Sequence, residues 1–78
     1  MKLSSNQIAL IKLAIKGEGF FTTKDGLKFY NSYSAFYHGA VEMEKEGLCV
    51  RLEQFDTSFW WLSRRAKAIL LKQPSEKS

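Results

Sequence analysis

The side chains of this sequence that are able to do chemistry are a lone histidine, a lone cysteine, and scattered basic and aromatic residues. His38 has no cysteine or carboxylate at metal-ligand spacing, so we expect no metal site there. Cys49 has no partner for an internal disulfide. The sequence contains no Ser/His/Asp grouping, no phosphate-binding loop and no carboxylate pair. We therefore expect a protein that is not an enzyme and uses no cofactor.

A helix predicted over residues 32–46 gathers a set of polar groups. Phe36, Ala40 and Met43 recur at helical spacing, and Gly47 ends the pattern. Rotation by about 100° per residue puts a second set on the opposite side: Ser34, Tyr37, His38, Val41 and Lys45. The first four of these are candidates for contact with DNA base edges through hydrogen bonds or thymine methyl groups. The alternative is a solvated helix face.

Basic residues lie on both sides of this helix in sequence. The chain has a net charge of +4, from 12 Lys and Arg against 8 Asp and Glu. Residues 1–30 and 54–78 each carry five basic and two acidic residues, whereas residues 31–53 carry two basic and four acidic ones. Scattered lysines are often only solvated, but a polyanion would suit these blocks. Candidates for phosphate contact are Lys24, Lys28, Lys45, Arg51, Arg64 and Arg65.

Helix signals place these groups along the chain. Ser4-x-x-Gln7 is a capping box, and Leu3 and Ile8 occupy the positions of a hydrophobic staple, so a helix over Ser5–Lys16 is predicted, with Gly17 as a left-handed stop. A short strand is predicted near residues 19–22. A second helix follows over residues 24–30, capped by Thr22 or Thr23, with Leu27 and Tyr30 on its apolar side.

After Gly47 the apolar period changes from 3.6 to 2. Leu48, Val50 and Leu52 are predicted on the buried side of a strand, with Cys49, Arg51 and Glu53 on the polar side. A five-residue loop, 54–58, is predicted to lead into a return strand over 59–62 and then into a helix over 64–72.

Three aromatic side chains fall outside the predicted core. Trp60 is expected on the core side of the return strand, which turns Phe59 and Trp61 outward, and Phe55 lies at the loop tip. An exposed patch of this kind predicts contact with a second subunit or another partner. Packing of the terminal helices and base stacking on single-stranded nucleic acid are the alternatives, while Phe20, Phe21, Phe29 and Phe36 are interpreted as core.

Length and hydropathy set the outer limits. The 78 residues predict one domain, 1–73, followed by a disordered tail, 74–78, after the only proline. The longest apolar runs have four residues, so no membrane span is expected. The first residues lack a secretory apolar core, which predicts a cytoplasmic location.

In element order, this sequence resembles the winged helix-turn-helix domains of MarR and PadR transcription regulators. The resemblance rests on Leu3-x-x-x-Gln7-x-x-x-x-Lys12, on Phe36-x-x-x-Ala40-x-x-Met43-Glu44-x-x-Gly47-Leu48-Cys49-Val50, and on Trp60-x-Leu62-Ser63-x-x-Ala66-x-x-Ile69-Leu70. Together these patterns cover roughly residues 3–72. The family usually has Gly where this sequence has Ala66, a difference that affects helix packing more than function.

The resemblance implies an α+β winged helix with a three-helix core, a two-stranded wing and a C-terminal helix. It implies that helix 32–46 enters the major groove of double-stranded DNA, that the second helix steadies it on the backbone, and that the hairpin tip reaches an adjacent minor groove or phosphates. Such regulators usually act as homodimers on half-sites about one DNA turn apart. Some of them sense oxidants through a thiol, a role open to Cys49. A protein-protein interaction module is the alternative function, and the residues assign no small-molecule effector.

Overall fold

A computed structural model describes residues 2–72, and it describes residues 71 and 72 by their backbone alone. It is an α+β fold of four helices and one antiparallel sheet, with the strands in the order β1-β3-β2. The elements are α1 (Ser5–Lys16), β1 (Phe20–Thr22), α2 (Thr23–Gly26), α3 (Tyr33–Lys45), β2 (Cys49–Gln54), β3 (Thr57–Leu62) and α4 (Arg64–Lys72). The predicted α+β class and order of elements are confirmed. The predicted tail, 74–78, lies outside the described residues.

Helix α1 begins with the predicted capping box. Ser4 Oγ accepts a hydrogen bond from the Gln7 amide at 3.2 Å, and Gln7 Oε1 accepts one from the Ser4 amide at 2.8 Å. The helix bounds are as predicted, but the prediction of a left-handed Gly17 is wrong, since its φ is −90°. Gly19, with a φ of 93°, takes the left-handed conformation instead and turns the chain into β1.

Helix α2 is shorter than predicted, and both bounds of the predicted helix, 24–30, are wrong. Thr22 caps it in a second capping box with Asp25, and the chain continues past Gly26 as hydrogen-bonded turns. At Gly26 an added Cβ would lie 2.0 Å from Phe36 Cδ1, so only glycine allows α2 and α3 this close approach. Leu27, predicted on the apolar side, is 46% exposed, so that part of the prediction is wrong.

The core lies between α1, α3 and the inner face of the sheet. Phe36, Ala40 and Met43 of α3 are fully buried, as predicted. Trp60 of β3 stacks on Phe21 with ring centroids 5.6 Å apart and meets Phe36 edge to face at 5.1 Å. These large rings supply much of the buried surface that a chain of this size needs.

The β2–β3 hairpin differs from the prediction in the length of its loop and in which side chains of β2 face the core. Phe55 and Asp56, with φ of 52° and 60°, form a two-residue turn in place of the five-residue loop. Arg51 pairs with Trp60 across the strands, so it lies on the inner face with Cys49. The remaining apolar residues of β2, Val50 and Leu52, are 58% and 53% exposed on the outer face.

The reversed sidedness has its cause at the end of α3. The Leu48 amide donates to the Met43 carbonyl and the Gly47 amide donates to the Glu44 carbonyl, which is a Schellman motif with Gly47 at φ 77°. Leu48 is therefore buried by the helix cap, and strand alternation begins one residue later, at Cys49. The prediction that Leu48, Val50 and Leu52 share one strand face is wrong for this reason.

Candidate nucleic-acid interface

Helix α3 presents the predicted polar face. Ser34, His38 and Lys45 are exposed, while Tyr37 and Val41 are half-buried at its edge. Ser32 begins the helix by accepting a hydrogen bond from the Ala35 amide at 3.2 Å. The predicted base-contact residues thus share one side of a regular helix that packs on the core through Phe36. Their contact with DNA bases stays a prediction.

A buried polar contact fixes α3 against α1. The Gln7 side chain is 3% exposed, and its Nε2 donates to the Gly39 carbonyl at 3.2 Å and to Glu42 Oε1 at 3.1 Å. The Tyr30 ring lies against Gly39, where an added Cβ would stand 2.5 Å from the Tyr30 hydroxyl. Burial raises the pKa of that hydroxyl, with a smaller contribution from Glu42. The capping box predicts one role of Gln7, but its link to α3 has no local sequence signal.

The acidic residues of α3 are engaged at the flanks of the helix. Glu44 Oε2 accepts a hydrogen bond from Trp60 Nε1 at 3.1 Å, on the sheet side. Glu42 accepts from Gln7 on the α1 side. Two of the four acids in the negative block 31–53 therefore take part in packing. Glu44 lies on the sheet side, away from Ser34 and His38, whereas Glu42 lies one helical turn from His38 at the edge of that face.

Arg51 joins the hairpin to α3. Its guanidinium carbon lies 5.7 Å from the ring centroids of both Tyr37 and Trp60. Nη2 donates to Glu53 and, at 3.2 Å, to Ser58 Oγ, while Nε is buried without a hydrogen-bond partner among the described residues. The predicted contact of Arg51 with phosphate stays a prediction. For that contact the guanidinium must either break its hydrogen bond to Glu53 or bind Glu53 and the phosphate together.

We expect Arg51→Ala to lower the free energy of unfolding by about 1–2 kcal/mol, because two cation–π contacts and the packing of the aliphatic stem are lost. Urea denaturation followed by circular dichroism measures this change. Lys67→Ala, at an exposed position of α4, is the control and should shift stability by less than about 0.5 kcal/mol. Equal, negligible shifts for both variants would show that the Arg51 contacts contribute nothing to stability.

The other predicted phosphate contacts lie on α2, in the turns that follow it and at the start of α4. Lys24 lies on α2, which packs against α3, and Lys28 follows it in the turns, 3.9 Å from Asp25 Oδ1. Arg64 and Arg65 are exposed at the start of α4, and Arg65 lies close to Gly47 just beyond the end of α3. Phosphate contact by these side chains stays a prediction.

The outer sheet face, defined here as Phe20, Val50, Leu52, Phe59 and Trp61, brings together apolar residues from all three strands. Phe20 lies 4.7 Å from Trp61 and 5.2 Å from Phe59 between ring centroids, and Trp61 is 40% exposed. Phe59 and Trp61 were predicted to point outward. Phe20, interpreted as core, is half-buried on this face instead, because its strand partner is Trp61.

Phe55 stands apart from the outer sheet face. It lies at the hairpin tip with 94% of its surface exposed, and its φ of 52° holds it in the turn. Contact of Phe55, Phe59 and Trp61 with a partner stays a prediction.

Cys49 lies inside the core and not on the polar side of its strand, so that prediction is wrong. Burial, with a smaller contribution from Glu44, raises the pKa of its thiol to about 12. We expect the folded protein to react with a thiol reagent such as DTNB at pH 8 at least about tenfold more slowly than the urea-unfolded chain, because the thiolate is the nucleophile. Equal rates would contradict this burial.

The raised pKa also gives stability a pH dependence. The unfolded thiol ionises near its ordinary pKa while the folded thiol keeps its proton, so stability should fall as the pH rises above about 9.

Comparison with protein-family models, with curated proteins and with solved structures gave no match. Within residues 2–72, no helix is long and apolar enough to cross a membrane, and no group of three His, Cys, Asp or Glu residues could hold a metal ion. The class of protein defined by the described residues is a small α+β domain with four helices and a three-stranded antiparallel sheet.

Proposed function

We propose that this protein is a winged-helix regulator of transcription that binds duplex DNA as a homodimer. The observation that carries the proposal is the exposed face of α3, a 13-residue helix anchored at the core and followed directly by a two-stranded hairpin. The element order and the strand order β1-β3-β2 support the assignment of α3 as the recognition helix and β2–β3 as the wing.

In this proposal α3 lies in the major groove. Ser34, Tyr37 and His38 donate or accept hydrogen bonds at base edges, and Val41 touches thymine methyl groups. Lys24 and Lys28 bind phosphates on one side of α3, while Lys45, Arg64 and Arg65 bind them near its C-terminal end. Because the first two turns of α3 carry no arginine, the bidentate contact to guanine is absent, and discrimination between sequences should be modest.

A fluorescence-anisotropy titration of labelled duplex DNA tests the proposal. We expect binding at about 50 mM salt that weakens steeply by about 200 mM, because phosphate contacts release counterions. Lys24→Ala and Lys28→Ala should each reduce the slope of log affinity against log salt by about one unit. Absence of binding at about 50 mM salt, or binding that ignores salt, would overturn the proposal.

A second candidate function, a winged helix used as a protein-interaction module, is favoured by the outer sheet face. In that case Trp61→Ala should abolish capture of the partner, whereas Lys24→Ala and Arg51→Ala should leave it unchanged. The proposal of DNA binding instead expects Lys24→Ala to weaken binding in the DNA titration.

A further inference from the structure

The outer sheet face exposes apolar side chains from all three strands. Val50, Leu52 and Trp61 are each 40% exposed or more, and Phe20 and Phe59 fill the space between them. Together they expose on the order of 400 Å² of apolar surface, which is the size of the largest patch on a typical monomer and is often functional.

The chemistry of this face excludes a polyanion as its occupant. By strand register, the outward positions of β1, β2 and β3 are all uncharged: Phe20, Thr22, Val50, Leu52, Gln54, Thr57, Phe59 and Trp61. A platform that stacks nucleic-acid bases combines its aromatic rings with basic side chains that track the backbone. Because no lysine or arginine occupies an outward position in these strands, a protein surface fits better than a nucleic acid.

We propose that the outer sheet face binds a second copy of this chain, with the two sheets packed face to face about a twofold axis. In a twofold interface the same patch meets itself, so any net charge on the patch would face an equal net charge of the same sign. An uncharged face on a chain of net charge +4 is self-complementary in this respect. The inference names the surface for the homodimer of the proposed function and rests on that function only for its biological use.

The position of the sheet relative to α3 is compatible with DNA binding by such a dimer. Tyr37 and Glu44 of α3 contact the sheet through Arg51 and Trp60, about 80–100° around the helix from Phe36. Phe36 also meets Trp60 edge to face, so the sheet lies on the side of α3 that carries Phe36 and Tyr37, and the face with Ser34 and His38 lies outside this contact. Three layer spacings of about 10 Å separate the two α3 helices by about 30 Å, near one turn of DNA.

The limited area sets the expected strength of association. A standard interface buries about 800 Å² per partner, and the apolar part of this face supplies about half of that. We therefore expect a dimer that dissociates in the micromolar range and that is visible as a concentration dependence of the molecular mass.

Sedimentation equilibrium between about 5 and 500 µM, without DNA, tests the inference. Wild type should shift from monomer to dimer across this range. Leu52→Lys should raise the dissociation constant at least tenfold, because it puts like charges into the twofold contact at an exposed position of an edge strand that tolerates lysine. Leu27→Lys is the matched control, since Leu27 is similarly exposed but belongs to none of the three strands, and it should behave as wild type.

A monomeric wild type at every concentration would overturn the inference, and so would a dimer that Leu52→Lys leaves intact. Iodide quenching of the wild-type protein is a second test, and it does not require that the variants fold. Trp60 is buried, so quenching of tryptophan fluorescence by iodide reports on Trp61. We expect quenching to increase on dilution as dimers separate, and unchanged quenching would count against this face. Because no DNA is present, these results stand whether or not duplex binding is found.

Discussion

Trp60→Ala is expected to lower the free energy of unfolding by about 3–5 kcal/mol, the largest stability effect of any single truncation in this core. Trp60 is fully buried, stacks on Phe21 and meets Phe36 edge to face. Its indole nitrogen also donates to Glu44, so the substitution leaves a cavity and removes the hydrogen bond that ties β3 to α3. A small domain is stable by about 5–15 kcal/mol, so much of its stability would be lost.

Urea denaturation at low protein concentration measures this loss. Trp60→Phe keeps a ring in the core but has no donor for Glu44, so it should fall between wild type and Trp60→Ala. Phe55→Ala is the control, because Phe55 is exposed at the hairpin tip and its loss should cost less than about 0.5 kcal/mol. A Trp60→Ala protein with the wild-type midpoint would contradict the described core.

His38→Glu is expected to lower the affinity for duplex DNA at least about tenfold at low salt, with little change in stability. His38 is exposed on the face of α3 that is proposed to enter the major groove. A carboxylate there would face the negative potential of the phosphates and could no longer donate a hydrogen bond to a base. Fluorescence anisotropy gives the affinity and thermal unfolding gives the stability.

Ile15→Glu is the control for His38→Glu. It adds the same negative charge at an exposed position of a helix, but on α1, where no residue is proposed to contact DNA. The general loss of positive charge is equal in the two variants, so the difference between them isolates the position on α3. Equal weakening of DNA binding by both would mean that the exposed face of α3 is not the contact surface.

Local signals predicted α1 and α3 well because their caps and apolar stripes lie within a few residues. Ser4 with Gln7 and Phe36 with Ala40 and Met43 are examples. The extent of α2 was not predictable in this way. Residues 27–30 keep hydrogen bonds of the turn type, and the position of α2 depends on the close approach of Phe36 to Gly26, which is distant in sequence.

In the hairpin, the assignment of a single residue decides which face is predicted for each side chain of β2. Leu48 is apolar and stands at the right spacing from Val50, but it belongs to the cap of α3 and not to the pleat of β2. Counting it as a strand residue assigned the later side chains of β2 to the wrong face. As a result the buried Cys49 and the exposed Val50 and Leu52, which complete the outer sheet face, were assigned in reverse.

The candidate interface was predictable in its helix face but not in its electrostatics. Ser34 and His38 follow from the 3.6-residue period alone. The pairing of Glu44 with Trp60 and of Arg51 with Glu53 depends on the register of β2 against β3 and on the packing of the hairpin on α3. Net charge by segment therefore does not show which acids lie near the face proposed to meet DNA: Glu44 is directed to the sheet, whereas Glu42 lies one helical turn from His38.

The most direct test of the central claim is a nuclear magnetic resonance titration of the labelled protein with a short duplex. If α3 is the recognition helix, amide shifts should change first and most along residues 33–45, around Ser34 and His38, and at Lys24 and Lys28. The outer sheet face, followed at Val50 and Leu52, should stay unchanged when the titration is run at about 500 µM protein, where the dimer is already formed. Shifts confined to the outer sheet face, with α3 unaffected, would contradict the proposed function.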